Sequence, residues 1–548
     1  MVRTQRYGAA GNPRTLTPFI DRVIFVAIAF AVLPIGACGG DKAGSGFSGG
    51  SGSSAKGGLA SSPGANSFNA QGSSPNGNST SSGGDAGVPC PAGLQCNVGC
   101  TGGASTTVSG TVYDPAGNDP LYNVTVYVPA SPLQPLPSGV PTGSAACSCS
   151  ALYPSGALTS TTTAVDGTFT LTNVPVGSAV PLVAQIGKWR RSFSIQVTAC
   201  QNNAQPDKSL VLPGTIVDAN DSMPEIAVST GASDSLECLM ERIGLPASEY
   251  VAGTATGGHV HIFSGGNPMA GGRGMGGMAG MGGMGGMGGA GRPETPPMPG
   301  APASATSLWS TQDQLMPYDI VLLSCEGGET YDANPQALEA YLNAGGRAFA
   351  SHYHYSWFSG PLNSGQAYTA PADWGNNLAA WTANGGQANG PVAGVIDTTL
   401  NGSTQPFPKG QALAQWLALV GALGTDGVPA ADLAIYQPRD NAQVAATNTA
   451  SQPWITASPW TLYFSFDTPV TAAATSEGGA PAYCGRAVFS DLHVAGNPLT
   501  TDTAPPPGGC ADTALSPQEK ALEFMLFDLS SCVIPDNVPP PTTGIIPR

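Results

Sequence analysis

The chain has 548 residues, and Gly 75 and Pro 50 make up close to a quarter of it, so much of the length does not build core. Charged residues are only 10%, the net charge is −16, and no Lys/Arg run occurs, which excludes a nucleic-acid backbone as partner. An acidic, weakly charged, Gly/Ser/Thr/Ala-rich composition of this kind fits an exported bacterial protein.

The first element is an export signal. Arg3, Arg6, Arg14 and Arg22 form a positive region opposed only by Asp21, and the apolar run Val23 to Ala37 follows. That run is too short to span a bilayer and right for a signal-peptide core. It ends in IGAC, Ile35 to Cys38, which resembles the bacterial lipoprotein processing site, an aliphatic residue and two small ones before the Cys. The resemblance implies cleavage of residues 1–37, lipidation of Cys38 and a membrane-anchored protein of the cell envelope, at the outer membrane or cell surface. Residues 38–89 have almost no large apolar side chains and read as a disordered tether. Such a tether has a root-mean-square span of roughly 40 Å. Eleven cysteines remain beyond Cys38, and an oxidising compartment predicts disulfides among them. Six (Cys90, Cys96, Cys100, Cys147, Cys149 and Cys200) lie in a Cys-rich lead-in, 90–103, or in the first folded module, where three bridges would staple it. The last five are odd in number and leave one thiol free.

From 104 to 215 apolar residues alternate in TTVSGTVYD and YNVTVYVP, separated by the turn cluster Asp114 to Leu121. Asp166-Gly167 forms a tight turn before the strand Thr168–Thr172. Short strands between turns predict a β-sandwich. SGTVYDPAGNDPLYNVTVYV followed by AVDGTFTLTNVPVG resembles the carboxypeptidase regulatory-like domain, which implies a transthyretin-like seven-strand sandwich serving as an accessory, non-catalytic module. The basic spot Lys188 to Arg191 has two readings, an anion contact or a solvated strand edge.

From 224 to 532 the pattern becomes strand and helix in alternation. SDSLECLMERIG reads as a helix capped by Ser233, HVHIFSGG as a strand, and YDIVLLSCEGGE as a buried strand ending at Gly-Gly. NPQALEAYLNAGG is a helix with Pro335 in its first turn, RAFASHYHY the next strand, and LSPQEKALEFMLFDLSSC a closing helix with a Ser516/Glu519 capping box. This order predicts an α/β fold, a mainly parallel sheet covered on both faces. A Gly/Met-rich insertion at 269–304 reads as a disordered loop or as a thioether array for Cu(I), and 533–548 as a Pro-rich tail. A barrel synthase is excluded, because strand–helix repeats are too few.

DIVLLSCEGGE, LEAYLNAGGRAFASHYHY and CGRAVFSDLH, in this order, resemble the class I glutamine amidotransferase-like superfamily and, within it, the trehalose-utilisation (ThuA-like) branch. The resemblance implies a flavodoxin-like sheet, with His352 at the elbow where amidotransferases carry their catalytic Cys. That departure removes glutaminase chemistry.

Strand carboxyl ends in such sheets carry the sites, which makes Glu326, His352, His354, Trp357, Asp491 and His493 the expected binding cleft, with Trp374 beside it. Two chemistries compete there. Cys325, Glu326 and His352 are the catalytic candidates, through a thiolate–imidazole pair; against this, Cys325 would be consumed by a bridge to Cys238. His352 and His354, on one strand face by alternation, are with His493 the candidate ligands of a divalent metal, with Asp491 as a substitute and a position open for water. His259 and His261 form a second pair. Cys484 begins a strand and Cys532 ends the closing helix, so an antiparallel helix brings them to one edge and predicts a Cys484–Cys532 bridge. The functional expectation is a non-catalytic envelope lipoprotein whose cleft binds a small molecule such as a carbohydrate; the alternative is a metal-dependent or cysteine hydrolase.

Overall fold

The computed structural model describes residues 89–143, 146–231, 234–265, 303–383, 386, 388, 390–472, 483–493, 510 and 513–542. The signal segment, Cys38, the tether, the Ser233 cap and nearly all of the Gly/Met-rich insertion lie outside them, as do the last residues of the tail. The described chain is multi-sheet and mostly β, and no helix among the described residues is long and apolar enough to cross a membrane.

The first module consists of β1 (Thr107–Tyr113), β2 (Thr125–Pro129), β3 (Ala157–Thr162), β4 (Thr168–Thr172), β5 (Gly177–Ile186), β6 (Trp189–Val197), β7 (Asn202–Ala204) and β8 (Leu210–Val211). One sheet runs β4-β1-β7 with β8 also on β1, the other β3-β2-β5-β6. The expected sandwich is thus present with eight strands rather than seven. Alternation explains its core: Val108 and Val112 of β1 and Phe169 and Leu171 of β4 are buried with Val126, Val128 and Leu182 from the second sheet.

The second module is a ten-stranded sheet. It uses β9 (Ile226–Ser229), β10 (Tyr250–Ala252), β11 (Val260–Phe263), β12 (Ile320–Leu323) and β13 (Arg347–Ser351). After β14 (Ala380–Trp381) come β15 (Val392–Ile396), β16 (Leu433–Ile435), β17 (Ala442–Gln443), β18 (Ser451–Ala457), β19 (Trp460–Thr468) and β20 (Gly485–Ser490). The sheet order is β10-β11-β9-β12-β13-β20-β19-β18-β15-β16, while β14 and β17 pair separately. From β10 to β20 every neighbour is parallel; from β20 to β16 every neighbour is antiparallel. The expectation of a mainly parallel sheet holds for one side only. The antiparallel side arises where β18 and β19 meet through a short turn, which no crossover helix separates.

The parallel strands bury apolar residues on both faces, because each face meets a different core. Ile320, Leu322, Phe349 and Val488 face α1 (Leu236–Arg242), and also α6 and α7 further along the chain. Val321, Leu323, Ala350 and Phe489 face α4 (Pro335–Asn343) and α5 (Tyr355–Ser359), which follow the short α2 (Thr306–Trp309) and α3 (Gln312–Leu315). α6 spans Pro408–Leu419 and α7 Pro517–Ser530, the latter opened by the expected Ser516/Glu519 capping box.

The sandwich shares the core on the α7 side, so the two modules form one body within Gly83–Arg548. Trp189 packs on Phe527 with ring centroids 5.7 Å apart and donates from Nε1 to Ser530 Oγ, and Trp416 Nε1 donates to Pro120 O at 2.6 Å. Two disulfides cross the junction, Cys147–Cys484 and Cys149–Cys532. They correct the expected Cys484–Cys532 bridge: both cysteines do reach one edge of the sheet, but the CSC segment of the sandwich arrives between them and takes one each. The first six cysteines accordingly form only two internal bridges, Cys90–Cys96 and Cys100–Cys200. Cys238 bonds Cys510, which leaves Cys325 as the free thiol among the described residues.

At the amino edge of the sheet the second histidine pair is already spoken for. His261 Nε2 lies 2.9 Å from Glu225 and its Nδ1 2.7 Å from Gly253 O; His259 Nδ1 lies 2.6 Å from Glu249. Burial lowers the His259 pKa, but the Glu249 hydrogen bond and the charges of Glu225, Glu249 and Asp319 outweigh it and hold the group above 6.5.

Two predictions follow from this packing. Gly187 has φ +55°, and an added Cβ would stand 1.9 Å from Ser530 O, whereas Gly143 at φ +65° faces open space. In urea unfolding, Gly187→Ala is expected to cost about 2–4 kcal/mol and Gly143→Ala about 1 kcal/mol. For His259, a folded-state pKa above the unfolded value means stabilisation that is full below about pH 6.5 and fades as pH rises through the folded pKa. Thermal melting between about pH 6 and pH 9 should therefore fall more steeply in wild type than in His259→Gln.

Candidate functional site

Four neighbouring parallel strands, β9, β12, β13 and β20, end on one edge and deliver Asp234, Cys325, His352 and His493 to a common point. The chain sends β10 and β11 to one side of β9 and β12, β13 and β20 to the other. The point lies beside that reversal, the place where open α/β sheets hold their sites.

Local geometry brings each group in. β13 stops at Ser351 because His352 takes φ +42°, a left-handed conformation that turns the strand into the helical residues after it. The strand expected over RAFASHYHY is therefore a strand, a tight elbow and α5, and its alternation does not extend to His354. Ser351 is the hub beneath the elbow. Its Oγ donates to Asp234 Oδ2 at 2.6 Å and accepts from the Cys325 backbone N–H at 2.9 Å. Cys325 Sγ lies 3.2 Å from His352 Nδ1, and the His352 and His493 ring centroids are 4.7 Å apart. His493 Nδ1 is 3.5 Å from Asp234 Oδ1, while Arg439 Nη2 donates to His493 Nε2 at 2.6 Å.

Cys325, His352 and His493 each offer one ligand atom, all within 4.8 Å of one another. His354 is not in this group. Its Nδ1 donates to Ser351 O at 3.2 Å, and burial pushes its pKa down to about 4 against the opposing pulls of that bond and of Asp234. Of the three expected ligands His352, His354 and His493, only His352 and His493 come together, and Cys325 rather than His354 joins them. The strand end at Ser351 is the cause, since it breaks the alternation that paired the two histidines.

Asp491 is a positioning residue. Its Oδ2 accepts from the backbone N–H groups of Asn441 and Ala442 and its carbonyl from that of Arg439, so it fixes the loop that carries Arg439. Burial raises its pKa to about 7 against the two loop hydrogen bonds. Glu326 is buried on the side of Gly265, where an added Cβ would stand 3.1 Å from its Oε1. Trp357 is fully buried, packs on Trp309 and donates to Thr330, and Trp374 is core as well; neither lines an open cleft. Sequence reasoning missed Asp234, read only as part of a helix start, and Arg439, in a loop without a pattern. A carboxylate between a strand and its crossover helix was the available signal for Asp234.

The protonation of the cluster follows from its contacts. Burial and the neighbouring His493, Arg439 and His354 hold the His352 pKa well below 6.5, so this ring is neutral. For His493 burial is opposed by Asp234 and Cys325, which would raise its pKa to about 10. The Arg439 contact decides otherwise. A guanidinium only donates, so at 2.6 Å it requires a lone pair on Nε2 and leaves the single ring proton on Nδ1, toward Asp234.

Comparison with known proteins adds little. No protein-family profile and no curated protein matches the chain. Among solved structures, it is similar to a chain of a type II cohesin–X-dockerin complex, an N-terminal interface mutant from Acetivibrio cellulolyticus, at 14% identity and a TM-score of 0.14, over 28% of this chain and 88% of that one. A likeness that weak carries no argument about fold or role.

Proposed function

We propose that this chain is a lipid-anchored protein of the bacterial cell envelope that acts by binding, not by turnover. The observation that carries the reading is burial: Cys325, His352, His354 and His493 are 0–3% exposed, so the chemically competent groups have no open contact with substrate. Export is supported by ten described cysteines held in five disulfides, a pattern of oxidising compartments. The amidotransferase-like and ThuA-like reading of the sheet is supported by its strand order: without the short edge strand β10, the parallel strands run 2-1-3-4-5 with β9 as the first, as in flavodoxin-like sheets.

The ligand surface of this reading is the sandwich, not the buried tryptophans. A groove of about 830 Å³ there is lined by Thr111, Thr161, Thr168, Thr170 and Tyr122 and flanked by Pro539. Hydroxyl groups beside an aromatic ring suit a polar ligand such as an oligosaccharide. Titration with a panel of neutral oligosaccharides should show binding that Thr170→Arg removes and Cys325→Ser leaves intact; loss with Cys325→Ser alone would place the ligand at the sheet edge instead. For the anchor, radiolabelled palmitate should enter wild type and not Cys38→Ser, which should leave the membrane fraction.

One contact favours a second reading, cysteine-dependent hydrolysis: the 3.2 Å approach of Cys325 Sγ to His352 Nδ1. Iodoacetamide separates the two readings, since a working nucleophile is alkylated in the folded protein and a buried thiol only after unfolding.

A further inference from the structure

We propose that Cys325, His352 and His493 form a transition-metal site of the zinc class, with Asp234 as fourth ligand or outer partner and Arg439 as the group the metal displaces. The donor set is one thiolate sulfur, two imidazole nitrogens and a carboxylate, the mixture that borderline-soft ions prefer. Its geometry is close to that of a filled site. Zinc bond lengths put ligand atoms of a tetrahedral centre about 3.3–3.6 Å apart. The Cys325–His352 pair stands at 3.2 Å, and the widest pair of the three is within 4.8 Å, so closure needs movement of about an ångström in side chains just past three adjacent strands.

The surroundings are built for such a centre. Ser351 fixes Asp234 and the Cys325 backbone together, as outer partners of metal ligands do. Ser229 Oγ and Ser324 Oγ, at the ends of β9 and β12, and His354 Nε2, just past β13, are buried without a hydrogen-bond partner among the described residues. The same edge therefore holds polar capacity that the protein's own groups leave unused.

Arg439 gives the site a distinguishing property. Metal on His493 Nδ1 takes the place of that nitrogen's proton, and the ring then carries its proton on Nε2. The guanidinium and Nε2–H are then donor against donor across a contact of 2.6 Å. Binding thus releases the Cys325 thiol proton, moves one imidazole proton and expels Arg439, which is only half-buried. The sulfur and nitrogen keep their oxidation states, and no redox partner is needed.

The test uses the full chain, purified without a histidine tag, stripped with chelator and titrated with Co²⁺ and Zn²⁺ alone. Wild type should take up one Co²⁺ with a thiolate-to-cobalt charge-transfer band and visible bands of tetrahedral intensity. Cys325→Ser should lose the charge-transfer band, Asp234→Asn should bind about 10–100-fold more weakly, and Arg439→Gln, whose carbonyl accepts from Nε2–H, should bind about tenfold more tightly. Folded wild type that shows no band, with a melting temperature indifferent to Zn²⁺, overturns the proposal; so does a charge-transfer band that survives Cys325→Ser. The groove and the anchor are read by other ligands and other residues, so failure here leaves those results untouched, and the reverse holds as well.

Discussion

Arg486 is the charge around which the rest of the fold is closed. It sits in β20, 2% exposed, and reaches Asp467 of β19 at 2.6 Å, Asp528 of α7 at 3.3 Å and Asp536 of the C-terminal segment at 2.8 Å. Lys409 of α6, equally buried, adds a 2.6 Å contact to Asp528. Burial opposes the Arg486 charge, yet the three carboxylates more than restore it, and Lys409 and Arg486 together hold Asp528 ionised. Such a network stabilises only when complete, because a lone buried ion is strongly destabilising. Its members come from β19, β20, α6, α7 and the tail, so satisfying one arginine requires both helices and the tail to be docked. The docked face of α7 is the surface on which the sandwich then builds its own core.

That dependence divides the sheet into two working ends. At the amino ends of the strands the protein spends its strongest fasteners: the two crossing disulfides, Lys188 on Asp319 at 2.5 Å, and Arg347 donating to the carbonyls of Gly345, Cys484 and Leu529. Each crossing disulfide closes more than 300 residues, 337 and 383 in sequence, and belongs at the upper end of the usual ~2–5 kcal/mol. With that edge locked, the carboxyl edge can carry an elbow with a left-handed His352 and a crowded polar cluster, features that cost stability locally.

Local signals in the sequence were legible where local physics decides. Alternation located β1 and β2, and the Asp166-Gly167 turn located β4; Pro335 located α4; the Ser516/Glu519 box located the start of α7 to the residue. The clustering of chemistry at strand carboxyl ends was also legible, and Cys325, His352 and His493 do meet. What escaped was set by the third dimension. Disulfide partners depended on where the CSC loop of the sandwich lands, and pairing within each module is the wrong prior once two modules share a face. The pairing of His352 with His354 assumed that β13 continues, whereas one backbone angle at His352 ends it. Trp357 and Trp374 read as ligand platforms, but aromatic rings fill the core between α5 and the sheet, where their area is worth most.

The donors and acceptors around His493 hold the cluster together. Asp234 and Arg439 flank His493 from opposite sides, Asp234 Oδ1 lying 3.5 Å from Nδ1 and the Arg439 guanidinium donating to Nε2 at 2.6 Å. A proton on both ring nitrogens of His493 would set Nε2–H against the Arg439 donor at 2.6 Å. In the proposed metal site, a divalent ion with a thiolate, Asp234 and two neutral imidazoles would sum to zero charge once Arg439 has left. Asp491, by holding the backbone of residues 439–442, sets where the guanidinium stands against His493 and how readily it would leave the proposed site.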